Sequence, residues 1–193
     1  MAKRYSKNRA AAARTRAAGT VTTTSQMQQG RLRVYTDGAC SGNGFRGAVA
    51  GWGVFFPDGE FANMYGPLQG VPQTNQRAEL TAIVMALRAA LTSMAPAVVL
   101  YTDSQYSIKC LTVWIRGWVK NGWRNSKGEP VANSDLIQDA SNLLAQLGKR
   151  MTLHHVRGHV NDPNNDEADR LARLGASGRA QQDIIDLSLN EIP

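Results

Sequence analysis

The sequence of 193 residues is poor in cysteine, with only Cys40 and Cys110. Their spacing fits neither a disulfide framework nor a zinc site built from paired cysteines, which is typical of a reducing, intracellular compartment. The sequence also lacks an apolar run of about 18 residues and the pattern of a signal peptide. We therefore expect a protein that neither spans a membrane nor is exported.

Acidic residues are absent before Asp37, although eight basic residues precede it. These are Lys3, Arg4, Lys7, Arg9, Arg14, Arg16, Arg31 and Arg33. The chain has 22 Lys and Arg against 15 Asp and Glu, so removing those eight leaves 14 basic residues and an almost neutral remainder. The net charge of +7 therefore belongs to the N-terminal part.

Composition divides the chain into three parts. Residues 1–30 carry almost no large apolar side chains, so we expect a disordered basic arm. We expect one folded domain over 31–179, long enough to bury a core, and a short tail over 180–193. The arm is typical of a mitochondrial presequence, a nuclear signal or a tether for phosphates. The expected location is thus the nucleus or mitochondrion of a eukaryote, or otherwise the cytoplasm.

Hydrophobic patterning predicts an α/β fold. Predicted strands cover 32–37, 47–57, 60–67, 98–102 and 151–157, with a hairpin turn at Asp58-Gly59. Predicted helices cover 75–93, 134–147 and 166–175, the second capped by Ser134, and 105–123 is helical in pieces broken at Gly117 and Gly122. This order of elements indicates a mixed five-stranded sheet flanked by helices on both faces.

Two of the predicted strands run into Tyr-Thr-Asp, at Asp37 and at Asp103, and a small residue follows each aspartate. Aspartate is a poor strand residue, so we expect both carboxylates at a strand end, where α/β proteins bind ligands. Each could equally cap only the turn or helix that follows it. Two such aspartates in one small domain favour a site.

Two further carboxylates fit with this pair. Glu79 lies near the start of the predicted helix 75–93, and Asp169 lies one turn into the last predicted helix. Each has an ordinary structural explanation, a buried ion pair for Glu79 and an interaction with the helix dipole for Asp169. Four acids converging on one sheet edge would repel one another unless cations bound there, and a set of carboxylates suits Mg²⁺ or Mn²⁺. Two such ions can clamp an in-line displacement at phosphorus.

Five separated motifs resemble the type 1 ribonuclease H family: YTDGACSGNG, QTNQRAEL, LYTDSQY, VWIRGWVKNGW and GHVNDPNNDEADRLA. The resemblance covers about three quarters of the chain, from Leu32 to Gly175. It implies the ribonuclease H-like fold, a monomer, and cleavage of RNA in RNA–DNA hybrids that leaves 5′-phosphate and 3′-hydroxyl ends. The metal ligands that it implies, for two Mg²⁺ ions that Mn²⁺ can replace, are Asp37, Glu79, Asp103 and Asp169.

The same resemblance implies roles for further residues. His159 matches a mobile histidine that assists proton transfer or product release, whereas His154 and His155 have no motif support and are interpreted as structural. Contacts to the hybrid are implied for Cys40, Asn43, Thr74, Asn75, Gln76, Trp114, Ser126 and Asn133. Of these, Asn43, Asn75 and Gln76 match readers of the RNA 2′-hydroxyl. Thr74 and Asn133 match a pocket for a DNA phosphate, and Trp114 and Ser126 belong to a basic protrusion that grips the DNA strand.

Three departures or alternatives stay open. Pro72 stands where the eukaryotic branch often has a phosphate-pocket arginine, which predicts either a weaker pocket or one that uses another cation. Another nuclease of the same fold, such as a reverse-transcriptase domain or a junction resolvase, is a rival interpretation. A hybrid-binding module without catalysis is the non-enzymatic rival, and it is disfavoured because all four acids are present.

Deleting residues 1–29 should weaken hybrid binding and flatten its salt dependence, because the arm carries charge that the almost neutral domain lacks. The slope of log affinity against log salt should fall by at most about 0.7–0.9 for each phosphate that the arm would otherwise neutralise. Cleavage at saturating substrate should hardly change. Binding titrations at several salt concentrations measure both effects, and an identical slope in the truncated chain would make the arm irrelevant to binding.

Overall fold

Strand β1 (Arg31–Ser41) lies at the centre of the sheet and pairs with a neighbour along each edge. The computed structural model describes residues 30–158 and 162–178. The other strands are β2 (Val49–Phe55), β3 (Met64–Pro67), β4 (Ala97–Thr102) and β5 (Met151–His155). The sheet order is β3-β2-β1-β4-β5, with β4 parallel to β1 and β5, and β2 antiparallel to β1 and β3. The predicted mixed five-stranded sheet is confirmed.

Helices connect and cover these strands. They are α1 (Asn75–Thr92), α2 (Gln105–Lys109), α3 (Ile115–Lys120), α4 (Ser134–Leu147) and α5 (Pro163–Ala176), with a π-helical segment (Cys110–Trp114) between α2 and α3 and a 3₁₀ turn (Gly148–Arg150) after α4. None of the helices within the described ranges is long and apolar enough to cross a membrane. Nearly all of the predicted arm and tail lies outside those ranges, so the domain boundaries stay a prediction.

The prediction that β1 ends at Asp37 is wrong. The parallel ladder with β4 stops at Thr36 and Thr102, but β2 continues to pair with β1 as far as Ser41. Asp37 is therefore the first residue of β1 beyond the parallel ladder, and it lies within a strand. Asp103 does follow the end of its strand, as expected.

Several predicted boundaries also differ. Gly117 lies inside α3, and the irregularity falls in the π-helical segment instead, while Gly122 with φ 62° follows the end of the helix. Asn133, with φ 57°, takes the N-cap position of α4 that was predicted for Ser134. The turn at Asp58-Gly59 is part of a longer connection, because β3 begins only at Met64.

Helix α5 starts earlier than predicted. Asp162 caps it by accepting a hydrogen bond from the backbone of Asn164 at 3.0 Å, and Pro163 occupies the first turn, where a missing N–H costs nothing. Asp169 is consequently in the second turn of the helix, so an interaction with the helix N-terminal dipole no longer explains it.

Helix α1 fills the space between the sheet and α4. Its N-terminus is capped by Thr74, whose hydroxyl accepts a hydrogen bond from the backbone of Arg77 at 3.2 Å. Its buried side chains are small or branched and lie around most of the helix: Ala78, Leu80, Ala82, Ile83, Val84, Ala86, Leu87, Ala89 and Ala90. The core lies mainly on this face of the sheet.

Helix α5 lies directly on the opposite face because β2 carries glycine there. A Cβ atom added at Gly53 would lie 2.4 Å from the backbone nitrogen of Ala172, and one at Gly51 would lie 1.9 Å from that of Ala176. On the α1 face, a Cβ atom at Gly38 would lie 2.2 Å from the backbone nitrogen of Glu79. All three distances are far shorter than real carbon contacts, so these positions require glycine.

Gly53→Ala should destabilise the fold by about 3 kcal/mol, because the new methyl group meets helix backbone that cannot move aside. Gly117→Ala is the matched control, since nothing lies within 4 Å of a Cβ atom there and alanine favours the helix by about 1 kcal/mol. Urea unfolding followed by circular dichroism measures both changes. Equal midpoints for the two variants would contradict the close approach of α5.

Candidate active site

Four carboxylates from four different elements line one open cleft of about 740 Å³. Asp37 comes from β1, Glu79 from α1, Asp103 from the residue after β4, and Asp169 from α5. Asp37 is paired with Gly53 in the ladder between β1 and β2. The glycine that lets α5 approach is therefore the direct neighbour of Asp37 on β2. Gly38, the next residue in β1, points to the other face and admits α1.

The Asp37 carboxyl group is the most buried of the four, with 8% of the residue exposed. Its Oδ1 accepts a hydrogen bond from the backbone of Gly38 at 2.7 Å. Burial raises the pKa of Asp37 to about 8, and the negative charges of Asp103, Asp169 and Glu79 contribute to the rise, against that one hydrogen bond. The surroundings of Asp37 thus disfavour its charged form in the absence of a cation.

Glu79 is held by two hydrogen bonds. The hydroxyl of Ser104 donates to Oε2, and the side-chain amide of Asn75 donates to Oε1 at 2.8 Å. Burial raises the pKa of Glu79, the charge of Asp103 adds to the rise, and both hydrogen bonds oppose it. The first turns of α1 and α2 together fix the direction of this carboxylate.

Asp169 and Asp103 have different neighbours. Arg173, one turn further along α5, pairs with both carboxylate oxygens of Asp169, at 3.0 Å from Nε and 2.7 Å from Nη2. The Asp103 carboxylate lies against Gly158, where an added Cβ atom would be 2.7 Å from Oδ2. His155 Nε2 donates to the backbone carbonyl of Asp103 at 3.2 Å, which is a structural contact.

The four carboxylates fit a hard divalent cation in donor chemistry, since they are all oxygen ligands and a positive neighbour would favour the charged form of Asp37. Within residues 30–158 and 162–178, no three His, Cys, Asp or Glu side chains are arranged to hold a metal ion. Glu79 and Asp169 have protein partners in this arrangement, since Glu79 accepts from Ser104 and Asn75, and Asp169 pairs with Arg173. A carboxylate has about four lone-pair sites, so these side chains can hold such partners and a cation at once.

Sequence reasoning missed several residues of the cleft. Asn165, Asp166 and Arg173 of α5 line it, and Asp166 adds a fifth carboxylate. Asn165 is buried with 4% exposed, and its Oδ1 has no hydrogen-bond partner among the residues that the structure describes. The sequence did carry a signal for two of them, because residues three or four apart on a helix are neighbours. Asp166 lies three residues before Asp169, and Arg173 lies four residues after it.

Most of the expected substrate contacts lie around the acidic cleft. Asn43, Thr74, Asn75 and Gln76 line an adjoining cleft of about 570 Å³ that also includes Glu79 and Asp103, and Cys40 lines the acidic cleft itself. The Oδ1 atom of Asn43 accepts from the backbone of Asn75 at 3.2 Å, which ties the β1–β2 loop to α1.

The remaining expected contacts lie further out. Asn133 accepts from Arg77 at 3.4 Å and donates to the hydroxyl of Tyr106 at 3.3 Å. Trp114 is 39% exposed and begins a row of indole rings with Trp118 and Trp123, both of which pack against the core. Ser126 is exposed and lines neither cleft. His159 lies outside the described residues.

A mixed sheet in the order β3-β2-β1-β4-β5, with an acidic cleft where β1 and β4 diverge, defines an α/β domain of the ribonuclease H-like fold. The RNase H family model matches residues 29–177, so the chain belongs to the RNase H family. The membership of this family that the five motifs predict is confirmed.

Three similar proteins illustrate the relationship. A ribonuclease H of Schizosaccharomyces pombe is 46% identical over 147 residues, which cover 76% of this chain and 53% of that protein. A ribonuclease H of Cyanothece sp. is 42% identical over 150 residues, covering 76% of this chain and 90% of that protein. The crystal structure of LC9-RNase H1, a type 1 RNase H with the type 2 active-site motif, superimposes with a TM-score of 0.62 at 28% identity, covering 80% of this chain and 75% of that one. The chain thus spans about half the length of the fission-yeast relative.

Asp37→Asn should stabilise the metal-free protein at pH 8 by on the order of 2 kcal/mol. The folded wild type keeps a proton on Asp37 up to about pH 8, whereas the unfolded chain loses it near 3.8. The folded state therefore binds more protons between these values, and wild-type stability falls as pH rises through this window relative to the variant. Urea unfolding in EDTA at pH 4, 6 and 8 measures the difference.

Asp139→Asn is the control for this measurement. Asp139 is on α4, has a side chain that is 36% exposed, pairs with Arg88 at 2.8 Å, and lines neither cleft. Its replacement removes an ion pair and should stabilise the protein at no pH. A gain at pH 8 in both variants would contradict burial of Asp37 among like charges as its cause.

Proposed function

We propose that this chain is an Mg²⁺-dependent endonuclease that hydrolyses the RNA strand of RNA–DNA hybrids and leaves 5′-phosphate and 3′-hydroxyl ends. The observation that carries the proposal is the meeting of Asp37, Glu79, Asp103 and Asp169 around one open cleft in a member of the RNase H family. An open cleft lined by carboxylates would repel the phosphates of a nucleic acid. It can bind such a polyanion only if cations bridge the carboxylates and the phosphates.

The proposed residues for holding two Mg²⁺ ions are these four carboxylates, and Mn²⁺ could replace Mg²⁺. Bound divalent ions supply Lewis-acid chemistry, which activates water and stabilises charge on a departing oxygen. The side chains have their own tasks. Ser104 and Asn75 orient Glu79, and the backbone N–H of Gly38 orients Asp37, so both carboxylates enter the cleft from fixed directions.

Recognition of the hybrid falls to the adjoining cleft. Asn43, Asn75 and Gln76 carry amide groups suited to a 2′-hydroxyl, which both donates and accepts hydrogen bonds and which only RNA has. Thr74 and Asn133 flank Arg77 and would bind a phosphate of the DNA strand. Trp114, with Arg116, Lys120 and Arg124 nearby in sequence, would support the same strand through charge and an aromatic surface.

His159 is proposed to assist proton transfer to the departing 3′ oxygen or the release of product. It lies ten residues before Asp169 in the sequence, in the segment between β5 and α5. The ordinary pKa of a histidine, near 6.5, suits transfer of a proton at neutral pH.

The proposal is tested by incubating the full chain with labelled RNA–DNA, RNA–RNA and DNA–DNA duplexes, with and without Mg²⁺. Cleavage of RNA in the hybrid only, and only with Mg²⁺, is the expected result. Cleavage of a DNA strand would favour the junction-resolvase alternative, and binding without any cleavage would favour the non-catalytic module.

Asp103→Asn should abolish hybrid cleavage in Mg²⁺ while leaving hybrid affinity within about threefold, because it removes one cation ligand and no packing contact. Asp139→Asn should cleave like the wild type, since Asp139 lines neither cleft and pairs with Arg88 instead. Turnover by gel assay and affinity by fluorescence anisotropy separate the two effects. Wild-type turnover in Asp103→Asn would rule out the proposed site.

A further inference from the structure

The loop between β1 and β2 presents an aromatic side chain to solvent. Phe45 is 79% exposed, which leaves most of a large apolar surface in water. Among the large apolar residues found exposed in the described part of the chain, Phe45 and Trp114 are the aromatic ones. Trp114 already has a proposed role against nucleic acid, whereas nothing in the core or the site explains Phe45.

The backbone of this loop is fixed although its side chain is free. Phe45 donates a backbone hydrogen bond to the carbonyl of Gly42 at 2.9 Å and accepts one from Ala48 at 3.2 Å. Asn43 ties the loop to the first residue of α1. Because the loop is already ordered, a partner would bind Phe45 without the entropy cost of ordering the chain.

The β1–β2 loop adjoins the cleft that is proposed to bind the hybrid. Asn43 and Gly44, the residues directly before Phe45, line the cleft that also contains Asn75, Gln76 and Tyr106. Tyr106 in turn packs edge-on against Trp114, with ring centroids 6.1 Å apart. The residues directly before Phe45 and the tyrosine ring that packs against Trp114 thus line the same cleft.

Charge supports a nucleic-acid partner over a protein one. Arg46 follows Phe45, is exposed, and forms no salt bridge with any residue in the described ranges. An apolar ring beside an unpaired guanidinium matches the surface of an A-form-like minor groove. That groove is wide and shallow, so sugar edges are accessible next to phosphates.

We propose that Phe45 and Arg46 form an additional contact to the RNA strand of the hybrid, next to the nucleotide that Asn43 reads. Phe45 packs against a ribose in the minor groove, and Arg46 pairs with a neighbouring phosphate. The inference rests on the proposed function, since it assumes that the cleft binds an RNA–DNA hybrid. It adds a contact that extends binding along the strand and leaves the reacting phosphate untouched.

The experiment compares Phe45→Ala and Arg46→Gln in the full chain with matched controls. Met94→Ala removes a 95% exposed side chain just beyond the other end of α1, and Arg31→Gln removes an exposed arginine at the start of β1, several residues from Asp37. Steady-state cleavage gives kcat and KM, and anisotropy in an Asp103→Asn background gives Kd without turnover. Melting temperatures equal to that of the wild type check folding.

Phe45→Ala should raise KM and Kd for the hybrid by about fivefold, with kcat and the salt slope unchanged, because the ribose no longer has an apolar ring to pack against. Arg46→Gln should flatten the slope of log affinity against log salt by about 0.7–0.9, the effect of neutralising one phosphate fewer. Neither control should change affinity by more than about twofold. On a DNA–DNA duplex, whose minor groove is narrow, Phe45→Ala should have no effect.

Two outcomes would overturn the inference. One is a Phe45→Ala affinity equal to that of Met94→Ala, which would leave Phe45 free for a protein partner. The other is an equal reduction in affinity for hybrid and for DNA duplex, which would exclude a contact specific to the RNA strand. Failure of the wild type to bind or cleave the hybrid would instead reject the proposed function, so the two failures are distinguishable.

Discussion

The close approach of two helices to β1 and β2 is the constraint on which the rest of this molecule depends. Gly38 admits the backbone of α1 on one face, and Gly51 and Gly53 admit that of α5 on the other. A single methyl group at any of these positions would push a helix outwards. Because Glu79 and Asp169 are carried by those two helices, the same packing brings their carboxylates to Asp37.

Packing therefore forces together groups that repel one another. The raised pKa of Asp37 is the electrostatic consequence, with burial as its main cause and the neighbouring acids adding to it. The structure moderates the repulsion locally, through Ser104 and Asn75 at Glu79 and through Arg173 at Asp169. Such a site is costly to fold without a cation, and a bound cation would relieve the repulsion.

The first turn of α1 joins the acidic cleft to the adjoining one. Asn75 donates to Glu79 through its side chain and to Asn43 through its backbone, so one residue touches a carboxylate on one side and the β1–β2 loop on the other. Under the proposed function, Asn75 thus contacts both the loop proposed to read the RNA strand and one of the proposed metal ligands.

The sequence alone was sufficient to predict the fold class, the order of the elements and the family, because hydrophobic periodicity and spaced motifs are local properties of the chain. It placed α1 and β4 within about a residue, since their apolar patterns end at a cap or a turn. The true length of β1 could not be read in this way, because its last residues are held by pairing with β2. The close approach of the helices at Gly38 and Gly53, and the contact of Ser104 with Glu79, were likewise decided only by tertiary structure. Each depends on an atom from an element distant along the chain, and local patterns carry no record of such distances.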